Sequence, residues 1–303
     1  MDGERKNLEL SGLMTALVTP FRGGEVDFPA LEALVERQIE GGVDWLVPLG
    51  TTGETPTLHD RERAEILERV LARANGRCPV MAGTGCNCTA ETIKLTRAAQ
   101  SAGAEAALIV TPYYNRPPQE GLFRHYAAVA EAVNLPIVLY NVPARTGVNL
   151  RNDVVVRLVE RFPHIVAIKD ATGSLSAATE LLSNGRIAVL SGDDSMTWPF
   201  MSLGAVGVVS VLSNLLPELM KSLVEAARRG DMDAAHRLHE KVLAVADGIG
   251  RFGPNPIPIK TAMALAGLIE DEFRLPLCPM DDASRREVEQ ILRRYDCLET
   301  VFA

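Results

Sequence analysis

The sequence reads IVLYNVP at residues 137–143 and IVAIKDA at residues 165–171, two short and almost continuously apolar runs. Runs of this kind are typical of parallel strands that are buried on both faces. Six further runs of the same kind lie along the chain, at 13–19, 45–50, 78–85, 106–112, 188–194 and 207–214. Amphipathic stretches with helical periodicity separate them, for example FPALEALVERQIEGG at 28–42.

Eight strands that alternate with helices predict a closed parallel barrel, the (β/α)8 or TIM barrel. A doubly wound open sheet is the alternative, but it would carry a glycine-rich phosphate-binding turn after its first strand. The turn at 19–24, TPFRGG, lacks that pattern. Beyond about residue 215 the pattern is helical only. We therefore predict a barrel with the active site over residues 1–232 and a C-terminal helical extension over residues 233–303.

The composition argues against several classes of protein. The 303 residues carry a formal net charge of -8, which disfavours a nucleic-acid partner because a phosphate backbone attracts basic surfaces. No apolar run reaches the roughly 18 residues that a membrane span needs. The segment at 1–10, MDGERKNLEL, has no apolar core of a secretory signal. We therefore predict a cytoplasmic protein with no membrane partner.

The five cysteines are an odd number, which indicates reduced thiols rather than a disulfide framework. The pair in CNC at 86–88 has no second cysteine pair or nearby histidine to complete a zinc site. None of the five histidines falls at a predicted strand end, and Asp193-Asp194 is the only carboxylate pair there. Divalent-metal chemistry is therefore not predicted.

Lys169 is the residue that points most directly to chemistry. Reactive groups of TIM barrels project from the C-terminal ends of the strands. Of only six lysines, Lys169 alone lies inside a strand-like apolar run. A buried ammonium is costly unless it is paired or neutralised, and burial favours the neutral amine that attacks carbonyl groups. Lys169 therefore indicates a nucleophile, and the alternative is a structural lysine paired with Asp170 or Asp193.

Other predicted strand ends supply candidate partners for this lysine. Tyr140 ends the neighbouring strand, where its phenol could relay protons or its ring could simply pack in the core. Thr51-Thr52-Gly53 forms a small-residue turn that suits a carboxylate or phosphate oxygen. Arg145 could clamp a substrate carboxylate, or form a salt bridge on its own loop.

Eight motifs at or near these strand ends together resemble the dihydrodipicolinate synthase / N-acetylneuraminate lyase superfamily, and within it the dihydrodipicolinate synthase family most closely. The resemblance runs from about residue 11 to 300. The motifs are GTTGE at 50–54, AGTG at 82–85, TPYYNRP at 111–117, YNVPARTG at 140–147, IKDATG at 168–173, LSGDD at 190–194, GVVSV at 207–211 and PNPIPIK at 254–260.

The resemblance implies that Lys169 forms a Schiff base with pyruvate. The enamine would attack the aldehyde of L-aspartate-4-semialdehyde, and cyclisation would give 4-hydroxy-tetrahydrodipicolinate, the committed step toward diaminopimelate and lysine. Tyr140 would donate and accept protons through Thr51 and through Tyr114, which in the family reaches into the site of a partner subunit. The implied substrate-binding residues are Thr52, Val209, Arg145 and, through its backbone, Gly192. The family is usually a homotetramer, a dimer of dimers, and uses no metal or organic cofactor.

Alternatives remain at this point. Thr51-Thr52, Tyr114 and Arg145 together favour the synthase over a sugar-acid aldolase or dehydratase of the same superfamily, which stays the main alternative. The intact Lys169, Tyr140 and Thr51 argue against a catalytically silent paralogue that binds a small keto acid as a sensor or scaffold, and a metal-dependent aldolase on the same fold is not expected either. Some family members are inhibited by lysine at a dimer-interface cleft. Three residues match that cleft: Asn87, Glu91 and Tyr113. Three depart from it: Pro56, Asp60 and Arg63. The sequence therefore leaves inhibition by lysine open.

Overall fold

The computed structural model describes residues 10–298 and contains the eight predicted strands. They are β1 (Gly12–Ala16), β2 (Trp45–Val47), β3 (Met81–Gly83), β4 (Ala106–Val110), β5 (Ile137–Asn141), β6 (Ile165–Asp170), β7 (Ala188–Ser191) and β8 (Gly207–Ser210). All pair in parallel, in the order β2-β1-β8-β7-β6-β5-β4-β3, and a bridge between Leu46 and Val80 joins the two ends into a ring. The predicted TIM barrel is confirmed. The first nine residues, where the absence of a secretory signal was predicted, lie outside the described part.

Twelve helices accompany the strands in residues 10–298. They are α1 (Phe28–Glu40), α2 (Asp60–Ala74), α3 (Thr89–Ala102), α4 (Gln119–Ala132), α5 (Pro143–Thr146), α6 (Asn152–Arg161), α7 (Leu175–Asn184), α8 (Thr197–Ser202), α9 (Pro217–Arg228), α10 (Met232–Gly250), α11 (Ile257–Leu265) and α12 (Asp282–Arg294). A short antiparallel pair, Phe21–Arg22 with Glu25–Val26, follows β1. No helix among these residues is long and apolar enough to cross a membrane.

The strand residues divide between two buried layers because successive side chains of a strand point to opposite faces. On β6, Ala167 belongs to the cluster inside the barrel, together with Leu190 and Val209. The next residue, Ile168, packs in the layer between strands and helices. Both faces of the strand are therefore apolar, which explains why the runs in the sequence are continuous rather than alternating.

The C-terminal extension shares its core with the barrel. One buried cluster contains Val208 of β8, Leu223 of α9, Val242 of α10, Ile259 of α11 and Val288 of α12. The predicted boundary at residue 232 falls at the first residue of α10, whose N-terminus is capped by Asp231. The division into barrel and extension stays a prediction, since apolar contacts continue across it.

Candidate active site

Lys169 lies at the C-terminal end of β6 and points into the barrel. It shares a strand face with Ala167, which is an interior residue. The side chain is 5% exposed, and its Nζ lies 4.2 Å from the centroid of the Tyr140 ring. The two residues are register partners across the β5–β6 pair. The geometry therefore brings together the amine and the phenol that the sequence singled out.

No carboxylate oxygen within residues 10–298 lies within 4.0 Å of the Lys169 Nζ. Asp170 cannot pair with it because adjacent strand residues point to opposite faces. The Asp170 carboxylate instead accepts a hydrogen bond from the Thr172 backbone N–H at 2.7 Å. The structural ion pair considered from the sequence is thus absent from the described residues.

The charges of Lys169 and Arg145 act on the pKa of a nearby carboxyl, that of Asp193. Partial burial raises the pKa of its carboxyl, and the positive charge of Lys169 opposes that shift. Asp247 on α10 raises the same pKa further, whereas Arg145 lowers it. The charges that act on the Asp193 carboxyl thus come from two cations and from one carboxylate of the C-terminal extension.

A cavity of about 670 Å³ opens beside this cluster. Tyr140, Thr51 and Arg145 are among its lining residues, whereas Lys169 is not. Tyr140 therefore contacts both the cavity and the amine. Of the other predicted substrate-binding residues, Thr52, Val209 and Gly192 also lie outside the lining.

The predicted carboxylate-binding turn is a single 3₁₀ turn, Thr51–Gly53, which begins four residues after the last residue of β2. The Gly53 N–H donates to the Gly50 carbonyl at 3.0 Å, and the Glu54 N–H donates to the Thr51 carbonyl at 3.2 Å. In residues 10–298 the structure records no hydrogen bond from the hydroxyls of Thr51 or Thr52. Neither hydroxyl is engaged within the described residues, and Thr51 also lines the cavity.

Gly192 brings the end of β7 against the end of β6. Its N–H donates to the Asp170 carbonyl at 2.7 Å. A Cβ at this position would lie 2.6 Å from the Ala171 Cβ, closer than real side chains approach. Only glycine fits at this position, because a side chain would collide with Ala171. The Gly192 backbone is therefore held against Asp170, the residue next to Lys169. Val209 on β8 is fully buried in the interior cluster.

Arg145 lies on the one-turn helix α5 and contacts the C-terminal extension. Its Nη2 donates to the Asn255 carbonyl at 2.8 Å. Asn255 belongs to the PNPIPIK motif and precedes α11. The alternative role of Arg145 was a salt bridge on its own loop. Arg145 forms no ion pair in the described residues, so that alternative is not observed.

Tyr114 does not join Tyr140 and Thr51 within this chain. Its side chain is 89% exposed, and its backbone has a φ of 73°, in the left-handed region that a non-glycine residue seldom adopts. Such a strained and exposed aromatic residue is consistent with a contact made outside the chain. The predicted role of Tyr114 in a partner's site stays a prediction.

The residues compared with the lysine-inhibited relatives lie along the same cavity. Its lining includes Tyr113, which matches those relatives, and all three residues that depart from them, Pro56, Asp60 and Arg63. Lys94 on α3 donates to Asp60 at 3.0 Å and to Glu91 at 3.1 Å. The carbonyl of Asn87 accepts from Asn115 at 2.9 Å. The carboxylates here are therefore already engaged by a cation of this chain.

Reasoning from the sequence missed one pair of residues, Lys260 and Glu54. Their side chains are both 0% exposed, and the Lys260 Nζ lies 2.5 Å from the Glu54 Oε1. Lys260 is thus even more buried than Lys169. Its position after the apolar run PIPI, and the position of Glu54 in a turn of small residues, are the signals that the sequence did carry.

Within residues 10–298 no three His, Cys, Asp or Glu side chains are grouped so that they could hold a metal ion. All five cysteines are free thiols, and Cys78 and Cys297 are buried.

The fold and the strand-end lysine define a (β/α)8 barrel with an amine at the C-terminal face of its strands. Residues 9–295 match the profile of the dihydrodipicolinate synthetase family. The chain is 50% identical over 286 residues to the 4-hydroxy-tetrahydrodipicolinate synthase of Pelobacter propionicus, covering 94% of this chain and 98% of that protein. The chain therefore belongs to the dihydrodipicolinate synthase family, as its motifs predicted.

Solved structures agree with this membership. The dihydrodipicolinate synthase of Aquifex aeolicus superposes with a TM-score of 0.93 at 41% identity, covering 95% of this chain and 98% of that one. The chloride-inhibited enzyme of Acinetobacter baumannii, complexed with pyruvate, gives a TM-score of 0.92 at 46% identity, covering 95% and 99%. At 41% and 46% identity over 95% of this chain, the similarity is one of sequence as well as of fold.

Proposed function

We propose that this protein condenses pyruvate with L-aspartate-4-semialdehyde to form 4-hydroxy-tetrahydrodipicolinate, through a Schiff base on Lys169. The observation that carries the proposal is the placement of Lys169, which lies inside the barrel at a strand end with no carboxylate at ion-pair distance in residues 10–298. A lysine amine is the nucleophile that attacks carbonyl groups, and no ion pair in the described residues holds this one away from a substrate.

The first half of the reaction binds and activates pyruvate. The Lys169 amine attacks the keto carbon, and loss of water gives the imine. The Thr51–Gly53 turn would hold the pyruvate carboxylate. In support of this role, the hydroxyls of Thr51 and Thr52 form no hydrogen bond in the described residues. Val209 belongs to the apolar interior cluster that also contains Tyr140.

Loss of a proton from the methyl group of the imine gives the enamine, whose carbon attacks the aldehyde. Tyr140 is the proposed proton donor and acceptor, because its ring touches the Lys169 Nζ and also lines the cavity. Thr51 lines the same cavity and continues the proton relay. Tyr114, exposed in one chain, completes the relay from a second chain.

The acceptor is held by Arg145, whose guanidinium lies at the cavity and would bind the semialdehyde carboxylate. A second copy of the chain is needed if Tyr114 acts in a partner's site, and we propose a homotetramer built as a dimer of dimers. The odd number of cysteines favours a reducing compartment, and we propose the cytoplasm.

The test is reductive trapping. The protein is incubated with pyruvate and borohydride, its intact mass is measured, and the modified peptide is mapped. We expect one pyruvate adduct per chain, on Lys169. The absence of an adduct on Lys169 would refute the proposed mechanism for every pyruvate-dependent activity of the superfamily.

A coupled assay then identifies the acceptor. We expect turnover with aspartate semialdehyde and none in the cleavage of N-acetylneuraminate or 2-keto-3-deoxygluconate. Cleavage of either sugar acid, with no condensation, would replace the proposed acceptor while leaving the role of Lys169 intact.

A further inference from the structure

The buried ion pair between Glu54 and Lys260 joins the C-terminal extension to the turn that follows β2. Lys260 lies on α11, and Glu54 directly follows the Thr51–Gly53 turn. The two residues are 206 positions apart in the sequence, and the Nζ–Oε1 distance is 2.5 Å. We propose that this pair positions the turn, so that the extension sets the geometry with which Thr51 and Thr52 meet pyruvate. This inference rests on the proposed function.

Both side chains of the pair are held by further contacts. The Lys260 Nζ lies over two aromatic rings, 4.5 Å from the centroid of Phe21 and 4.6 Å from that of Phe273. The second carboxylate oxygen of Glu54 accepts the backbone N–H of Arg274 at 3.2 Å. Both charges are thus fixed by partners on several different segments.

Stability alone gives no reason for two charges at this place. Removing an ion pair from water costs free energy that the attraction only partly returns, and apolar residues of similar volume are often as stable. A buried pair does, however, fix direction and distance more narrowly than apolar packing does. The cost of desolvation is seen in the pKa of Lys260, which burial lowers, whereas the negative charge of Glu54 opposes that shift.

The backbone of Glu54 transmits this fixed position to the turn. Glu54 has a φ of 52° and a ψ of 32°, a left-handed conformation that persists only where the surroundings hold it. Its N–H closes the turn on the Thr51 carbonyl at 3.2 Å. A shift of the Glu54 side chain would therefore rotate the turn and move the two threonine hydroxyls.

The same segment of the extension also holds the other substrate-binding group. Asn255 lies five residues before Lys260, and its carbonyl accepts a hydrogen bond from the Arg145 Nη2 at 2.8 Å. The segment from Asn255 to Lys260 therefore contacts both Glu54, which follows the Thr51–Gly53 turn, and the arginine proposed for the semialdehyde. We conclude that the extension sets the spacing between the two halves of the site.

The test replaces both charges at once, with Glu54→Gln and Lys260→Met in one protein. Gln keeps an acceptor for the Arg274 N–H, and Met keeps an unbranched chain between the two phenylalanine rings. The pyruvate concentration for half-maximal trapping on Lys169 is then measured, together with KM and kcat. We expect half-saturation and KM for pyruvate to rise at least about tenfold, the scale of one displaced charge-assisted hydrogen bond.

The control is the pair Asp44–Lys221, at 2.8 Å, which is also an ion pair with the C-terminal part of the barrel but is partly exposed, with 30% and 24% of the two side chains accessible. It lies at the opposite end of the barrel, where the Asp44 carboxylate accepts the Leu13 N–H at the start of β1. The double variant Asp44→Asn with Lys221→Met removes the same two charges far from the turn. We expect it to lose thermal stability with pyruvate half-saturation unchanged within about twofold.

A second variant covers the case in which the first does not fold. Lys260→Arg keeps the charge, but its larger guanidinium cannot occupy the same space and must displace Glu54. We expect pyruvate half-saturation to rise at least about threefold, against no change for Lys221→Arg. A folded variant of either Lys260 design with wild-type half-saturation overturns the proposal. If the wild-type protein itself traps no pyruvate, the proposed function fails instead, so the two failures are distinguishable.

Discussion

Tyr140→Phe removes one hydroxyl group from the centre of the candidate site and leaves the rest of the side chain in place. The ring is 7% exposed and packs in the interior cluster. Phenylalanine can keep the contact of this ring with the Lys169 Nζ, now at 4.2 Å from the ring centroid, because a cation also binds the face of a phenyl ring. No hydrogen bond of the Tyr140 hydroxyl is recorded in residues 10–298. The free energy of unfolding should therefore change by less than about 1 kcal/mol.

The effect on turnover should be much larger. Loss of a group that donates and accepts protons usually costs at least about 10²-fold in rate, which is about 2.7 kcal/mol of transition-state stabilisation. The assay measures kcat with both substrates and, separately, the extent of borohydride trapping after long incubation with pyruvate. We expect the adduct on Lys169 to reach the wild-type level, because the amine itself is intact.

Tyr126→Phe is the matched control. Tyr126 is fully buried, and its hydroxyl donates to the Ile109 carbonyl at 3.1 Å on the helix side of the barrel wall. Its loss should cost about 1 kcal/mol of stability and leave kcat unchanged. Turnover of Tyr140→Phe within a few fold of wild type would refute the proton relay. An equal loss of kcat in both variants would attribute the effect to packing instead.

Three further predictions concern other parts of the chain. Burial lowers the pKa of His125 to about 4 from its usual 6.5, so its contribution to stability is complete above about pH 6.5 and is lost as the pH falls toward 4. That loss should reach about 3 kcal/mol in denaturant titrations and should be absent from His125→Phe. Gly192→Ala should lower kcat/KM about tenfold, because the added methyl group displaces the end of β6; unchanged kinetics would contradict the close approach. Burial raises the pKa of the Cys78 thiol to about 12 and raises that of Cys297, so iodoacetamide at pH 8 should modify the exposed Cys278 and spare both in the native protein, as peptide mapping would show.

The barrel could be predicted because each strand carries its own signal. Parallel strands covered on both faces need apolar side chains at every position, so eight continuous runs mark eight strands without any knowledge of their neighbours. The pairing of Lys169 with Tyr140 could be predicted for a similar reason. Consecutive parallel strands lie side by side, and residues at their C-terminal ends meet at one face of the barrel.

The pair of Glu54 with Lys260 could not be predicted in this way. The burial of a residue on α11 depends on what covers that helix, and here Phe21 and Phe273 come from segments far away in the sequence. Helical context therefore made Lys260 look like an ordinary surface lysine. The exposure of Tyr114 agrees with the role that the family resemblance implied, in which its side chain acts in the site of another chain.

The two buried lysines show how the surroundings separate a reactive amine from a structural one. A carboxylate at hydrogen-bond distance holds a lysine Nζ in place and occupies the side from which a carbonyl carbon would approach. Lys260 has such a carboxylate, from Glu54, at 2.5 Å. The Lys169 Nζ lies against the face of Tyr140, and no carboxylate oxygen of residues 10–298 is within 4.0 Å of it. Burial alone would have ranked Lys260 first, but burial without a carboxylate at hydrogen-bond distance selects Lys169.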